Sequence, residues 1–244
     1  MSTKKIALVT GANKGIGKEI ARQLGALGCV VLIGARDAGR GKAAAGELRA
    51  QGIDARPIKL DVTDETSIQA AAAQVEREFG GALDVLVNNA GIALDGHGTA
   101  ASSTELDTLR KTYETNVIGP FAVTKYFLPL IKAATAGRIV NMSSGLGSLT
   151  LNSDTTSEYA QVKPLAYNSS KAALNMVTVI LAAELQCTAI KINAACPGWT
   201  ATDLNNNSGP RTIEQGAAIA VKLASLPDDG PTGGYFNDEG VIPW

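Results

Sequence analysis

Tyr167 and Lys171 stand four positions apart in Tyr167-Asn-Ser-Ser-Lys171-Ala-Ala-Leu-Asn175, a segment of helical composition. That spacing puts both side chains on one helix face. A phenol with a reference pKa of about 10 is a poor proton carrier at neutral pH. A neighbouring ammonium favours the phenolate and lowers that pKa toward the working range. The alternative for such a pair is a surface contact without chemistry. Ser143 and Ser144 follow a strand-like run in Asn141-Met-Ser143-Ser144-Gly145. A serine O–H at a strand end can donate to a carbonyl oxygen and hold charge as hydride arrives, or serve only an ordinary turn. Asn116, within Tyr113-Glu-Thr-Asn116-Val-Ile-Gly-Pro120, reads as a local backbone hydrogen-bonder near a kink at Gly119-Pro120.

A second group of residues suits phosphate. Thr10-Gly-Ala-Asn-Lys-Gly-Ile-Gly17 leads from a strand-like run into a helical one. Glycine there permits positive φ and lets a pyrophosphate approach the backbone. The helix start that follows offers free N–H groups and partial positive charge. A dinucleotide is the expected ligand, with Gly11, Asn13, Lys14, Gly15, Ile16 and Gly17 around it. The second strand ends in Gly34-Ala35-Arg36-Asp37. Arginine at that point suits the 2′-phosphate of NADP, and an acid would suit the ribose of NAD. Arg36 with Lys14 nearby points to NADP (NADPH). In the other reading both cations are solvated and Asp37 binds the ribose.

These groups need a scaffold. Runs rich in β-branched residues at 5–10, 30–34, 56–60, 84–88, 138–142 and 190–195 alternate with helical stretches near 16–27, 39–51, 64–79, 105–132 and 166–186. Such alternation makes βαβ units and a parallel sheet covered on both faces. The expectation is one α/β domain spanning 1–244, a Rossmann-type doubly wound parallel sheet of about seven strands. Three longer connections, 93–103, 145–165 and 203–211, follow strands four, five and six. They sit at the sheet edge where ligands bind in such folds, and they wall the expected substrate cleft.

Composition narrows the function classes. Hydrophobic residues make up 45% of the chain, enough for a large core. A net charge of −1 gives no footprint for nucleic acid or anionic lipid. No signal-peptide core and no apolar run of about 18 residues is present, so a cytoplasmic protein without membrane contact is expected. Cys29, Cys187 and Cys196 lack paired spacing, and with one histidine no metal site is expected. Cys29 and Cys196 adjoin strands and read as small buried hydrophobes. His97 reads as a surface-loop residue, with a substrate contact as the alternative. A Ser-His-Asp hydrolase would need that histidine, and no GxSxG elbow accompanies it.

In motif order and spacing across nearly the whole chain, the sequence resembles the short-chain dehydrogenase/reductase family. The resemblance is carried by the loop from Thr10 to Gly17, by Asn88-Asn-Ala-Gly91, and by Tyr167 and Lys171. It implies an Asn-Ser-Tyr-Lys tetrad at Asn116, Ser144, Tyr167 and Lys171, with Tyr167 and Lys171 also meeting the coenzyme. It further implies Asp61 and Val62 beside adenine, and Asn89 and Ala90 near the adenosine and ribose. Pro197 and Gly198 would lie near nicotinamide, with Thr200 and Thr202 near its amide or the phosphates. Ala35-Arg36-Asp37, Cys196-Pro-Gly-Trp199 and Gly230-Pro-Thr-Gly-Gly-Tyr235 resemble the NADPH-dependent carbonyl reductases. The implied reaction reduces a small-molecule aldehyde, ketone or quinone, with Tyr167 as general acid.

One departure stands out. Ser144 and Tyr167 are 23 positions apart, wider than the family's plain pattern. The added segment, about 151–165, resembles a shorter form of the insertion in animal carbonyl reductases. It leaves monomer and homodimer both open. Three other functional readings stay in view: a non-catalytic NADP-binding redox sensor, an alcohol dehydrogenase working in oxidation, and a sugar-nucleotide epimerase of the extended branch. The last needs a sizeable C-terminal substrate domain, and only about 50 residues follow the sixth strand-like run. Trp199 reads equally as an aromatic wall of the cleft or as packing.

Overall fold

The computed structural model describes residues 4–96 and 100–244, so the expectation for His97 lies outside the described residues. The chain alternates strand and helix as its periodicity requires. It runs β1 (Ile6–Thr10), α1 (Gly15–Ala26), β2 (Val30–Ala35), α2 (Ala38–Ala50), β3 (Ala55–Lys59), α3 (Glu65–Glu78) and β4 (Val85–Asn88). It continues through α4 (Leu106–Tyr113), α5 (Gly119–Ala133), β5 (Arg138–Met142), α6 (Leu149–Ser153), α7 (Leu165–Glu184) and β6 (Lys191–Ala195). Last come α8 (Ile213–Ala224), β7 (Tyr235–Asn237) and β8 (Gly240–Val241). The strands form one sheet in the order β3-β2-β1-β4-β5-β6-β7-β8.

Eight strands replace the expected seven, because β8 folds back antiparallel on β7, pairing Phe236 with Val241. Every other pairing is parallel. The side-chain period of two sends alternate residues to opposite faces. On β1, Ala7 and Val9 join the core under α1, α2 and α8, with Ile20, Leu24 and Leu223. Leu8 joins the core on the other face, with Ile68, Phe127 and Leu181 of α3, α5 and α7. Strand order reverses between β1 and β4, and a crevice opens there beyond the strand ends.

Two stretches differ from their expectations. The helix expected at 105–132 is broken by a π-helical turn at Glu114–Ile118, upstream of Gly119-Pro120. Pro120 is the second residue of α5, in the first turn where proline is tolerated. Gly119 lets α5 close on the turn after β3, because a Cβ there would come 3.0 Å from the Val62 carbonyl oxygen. The connection 145–165 holds a 3₁₀ turn at Gly145–Gly147 and the short α6. Helix α8 had no counterpart in the periodicity reading.

A buried polar ladder fastens the helices to the sheet below the crevice. Asn88 and Asn141 are register partners on β4 and β5. Asn88 Nδ2 donates to Asn141 Oδ1 at 2.9 Å and to Thr124 Oγ1 on α5 at 3.0 Å. Asn141 Nδ2 donates to Thr178 Oγ1 on α7 at 2.9 Å. Replacing Thr178 by valine keeps the shape and removes the acceptor, leaving a buried donor unmet. Thr178→Val is expected to destabilise the fold by about 1–3 kcal/mol, read as a lower urea midpoint at unchanged slope.

Candidate active site

At the C-terminal end of β1 the chain turns through Gly11 and Gly15, whose φ values of +64° and +56° lie in the left-handed region that glycine adopts without steric cost. A Cβ on Gly17 would overlap Asn89 Nδ2 and the Gly11 carbonyl. That glycine is therefore required by packing within the loop. Asn89 Nδ2 donates to the Thr10 carbonyl at 2.9 Å, and the amides of Asn89 and Ala90 both donate to Thr10 Oγ1. Asn89 and Ala90 thus tie the ends of β1 and β4 together across the crevice.

Helix α1 starts at this turn, and the side chain of Lys14 at its N-cap makes no capping bond. Helices α2, α3 and α8 are capped by Asp37, Asp64 and Thr212 instead. The free N–H groups of α1 and its positive end face the crevice, as a pyrophosphate needs. A Cβ on Gly15 would meet nothing within 4 Å, so the space over the loop is open.

Other predicted coenzyme residues surround the same edge. Arg36 follows β2, is exposed and has no ion-pair partner among the described residues. Asp37 is engaged, since its Oδ1 accepts the Arg40 amide at 2.8 Å as the cap of α2. Lys14 pairs at 2.6 Å with Asp203 from the loop after β6, rather than standing free beside Arg36. Asp61 and Val62 follow β3, and Asp61 Oδ1 accepts from the amide and hydroxyl of Thr63. Pro197 and Gly198 follow β6, Gly198 with φ of +70°. Thr200 is buried, its hydroxyl donating to the Pro197 carbonyl at 3.0 Å. The Thr202 amide donates to Asn205 Oδ1 at 3.1 Å, which orders that loop.

The residues expected to carry chemistry meet at the ends of β4 and β5. Helix α7 presents Tyr167 and Lys171 on one face. Lys171 Nζ is buried, lies 5.5 Å from the Tyr167 ring centroid, and donates to the Met142 carbonyl at 2.8 Å. Asn116, fully buried in the π-helical turn, reaches far beyond its own segment. Its Oδ1 accepts the Ile92 amide at 2.9 Å. Its Nδ2 donates to the Ile92 carbonyl at 2.8 Å and to Ser170 Oγ at 3.0 Å. The expected local role is therefore replaced by a long-range one. A Cβ on Gly91 would lie 3.4 Å from Asn116 Oδ1 and 3.5 Å from Lys171 Nζ, so those groups converge on one glycine.

The two serines separate cleanly. Ser143 is buried and its hydroxyl donates to Asn175 Oδ1 at 2.6 Å. Ser144 is partly exposed and faces the Tyr167 phenol. Burial pushes that phenol up to about 12, and the Ser144 hydroxyl draws it part of the way back. The expected downward shift from Lys171 is thus not what the protein alone shows, because desolvation of the phenolate dominates. Burial also brings Lys171 down to about 8.

Three contributors had been given no role at the site by the sequence. Tyr235 O–H donates to the Ser144 carbonyl, and its ring stacks on Trp244 with centroids 5.3 Å apart. Cys196 Sγ accepts the amides of Gly145 at 3.1 Å and Gly198 at 3.4 Å, joining the loops after β5 and β6. A Cβ on Gly145 would overlap Tyr159, which brings the 151–165 segment against the residue after Ser144. Trp199 is exposed at this edge, 62% accessible, which rules out core packing.

The profile of short chain dehydrogenases matches residues 5–212. The NADPH carbonyl reductase 1 of Sus scrofa is 37% identical over 284 residues, covering 100% of this chain and 95% of its own. The NADPH-bound carbonyl reductase from chicken fatty liver superposes with a TM-score of 0.85 at 30% identity, over 100% of both chains. Salutaridine reductase from Papaver somniferum gives 0.83 at 29% identity, over 96% of this chain and 100% of its own. With the glycine turn, the Asn88–Gly91 junction and the Tyr167–Lys171 helix in one crevice, the chain belongs to the short-chain dehydrogenase family.

Proposed function

We propose that this protein is an NADP-dependent carbonyl reductase, converting an aldehyde, ketone or quinone to an alcohol with Tyr167 as proton donor. The observation that carries the reading is the convergence of Tyr167, Lys171, Ser144 and Asn116 beside an uncapped helix start and an open glycine turn. The similarity to NADPH carbonyl reductases over the whole chain supports the same coenzyme and bond type. No helix among the described residues is long and apolar enough to cross a membrane.

The residues present fit NADP. The turn at Gly11–Gly17 and the first N–H groups of α1 would hold the pyrophosphate, and Arg36 would meet the 2′-phosphate. When bound, the reduced nicotinamide supplies hydride to the carbonyl carbon. The Ser144 hydroxyl donates to the carbonyl oxygen and Tyr167 gives it a proton. A phenol near 12 holds that proton at neutral pH, as a donor must. The Lys171 ammonium stabilises the phenolate left behind, and Met142 leaves further N–H donors on Nζ for the coenzyme ribose. Asn116 keeps the 91–92 backbone beside Lys171 and would order water for proton return.

Tyr167→Phe is expected to lower kcat by about 10²–10⁴-fold while NADPH still binds in a fluorescence titration. Activity retained in that variant would remove Tyr167 from the chemistry. Lys171 carries its ammonium below about 8 and loses it as pH rises through that value. kcat/KM for reduction should therefore hold at lower pH and fall as pH rises through about 8, while Tyr167 stays protonated. A profile level through that region would contradict the role of the ammonium. Coenzyme choice is tested by kcat/KM with NADPH and NADH. NADPH should be favoured, and Arg36→Ala should shrink the preference by weakening the phosphate contact. A preference for NADH in the unaltered protein would refute NADP.

A further inference from the structure

Helix α7 has a difficulty at its start that the sequence around it does not resolve. The first N–H groups of a helix have no partner within it and need an acceptor from outside. Pro164 occupies the N-cap and has no side-chain acceptor to offer. Ala166, the second helical residue, is fully buried, so water cannot take the acceptor's place. Tyr167 is the third residue and lies in this same unfastened turn.

The acceptor arrives from 71 positions away. Asp95 Oδ2 accepts the Ala166 amide at 2.6 Å and the Tyr167 amide at 3.4 Å. These are the second and third N–H groups of the helix, the ones a local Ser, Thr or Asp cap would take. Its negative charge also meets the positive end of α7. The segment that carries Asp95 is itself pinned, because Asn116 bonds both the amide and the carbonyl of Ile92. Asn116 further reaches Ser170, whose hydroxyl donates to the Tyr167 carbonyl at 2.7 Å. Tyr167 is therefore held through its amide by Asp95 and through its carbonyl by the Asn116–Ser170 pair.

From this geometry we infer that Asp95 is a positioning residue for the reaction, acting as a remote N-cap that fixes the first turn of α7 and with it the Tyr167 phenol. The inference rests on Tyr167 being the proton donor. The effect is selective, because Lys171 lies one turn further on and is anchored separately to Met142. Loss of Asp95 would loosen the phenol and leave the ammonium and the coenzyme turn in place.

The experiment compares Asp95→Ala with Asp95→Asn, which retains an amide oxygen as acceptor. In the alanine variant kcat should fall about tenfold to a hundredfold, the scale on which small misplacement of a reacting group acts. The dissociation constant for NADPH should not change, and the asparagine variant should recover most of the lost rate. Hydrogen exchange of the peptide covering residues 164–171 gives a second reading that needs no turnover. Protection there should drop in Asp95→Ala and return in Asp95→Asn. An unchanged kcat in the alanine variant, unchanged protection, or an equal loss of NADPH affinity would each overturn the inference. If the unaltered protein reduces no carbonyl, the proposed reaction fails instead, and the exchange data still decide whether Asp95 caps α7.

Discussion

The site depends on one constraint: α7 lies against β5 along a stripe of polar side chains that only each other and the sheet can satisfy. Lys171 donates to the Met142 carbonyl, Asn175 accepts from Ser143, and Thr178 accepts from Asn141. Three successive turns of the helix are thereby matched to three successive residues at the end of the strand. A buried polar group left unmatched is costly, so a shift or rotation of α7 would break several bonds together. The register of the helix, and with it the place of Tyr167, is set by these bonds together.

The same economy places the rest of the crevice. Thr10 Oγ1 accepts the amides of Asn89 and Ala90, which locks β1 to β4 where strand order reverses. Asn116 uses both ends of its amide on Ile92 and turns the backbone after β4 toward α7. It does so from a π-helical turn, a local widening that directs the side chain inward at the expense of regular helix. The glycine turn and the Tyr167 end of the site are thus joined by side chain-to-backbone bonds across long sequence separations. Neither end is formed by a contiguous stretch of chain.

Electrostatics follows from this burial. Desolvation acts on both partners, raising the phenol and lowering the ammonium. Each neutral form is favoured, and the proton stays on Tyr167 at neutral pH. In the proposed reaction, coenzyme and substrate would meet Tyr167 with its proton in place, beside a Lys171 ammonium brought down to about 8.

Much of this was legible in the residues themselves. Alternating strand and helix periods determined a doubly wound α/β domain, since apolar side chains at those periods can be buried in few other ways. The glycine turn and the Tyr167–Lys171 spacing were readable because each rests on local geometry over a few residues, whereas the choice of Ser144 over Ser143 came from the family resemblance alone. The eighth strand, the break at Glu114–Ile118, the long reach of Asn116, the pairing of Lys14 with Asp203 and the upward shift of Tyr167 were not. Nor were the bonds of Tyr235 to Ser144 and of Asp95 to the start of α7. The bonds of Asn116, Lys14, Tyr235 and Asp95 join groups tens of residues apart, and the shift of Tyr167 depends on how much water reaches its side chain. Neighbours in sequence encode neither quantity, and both take their values only when the sheet and its covering helices have closed.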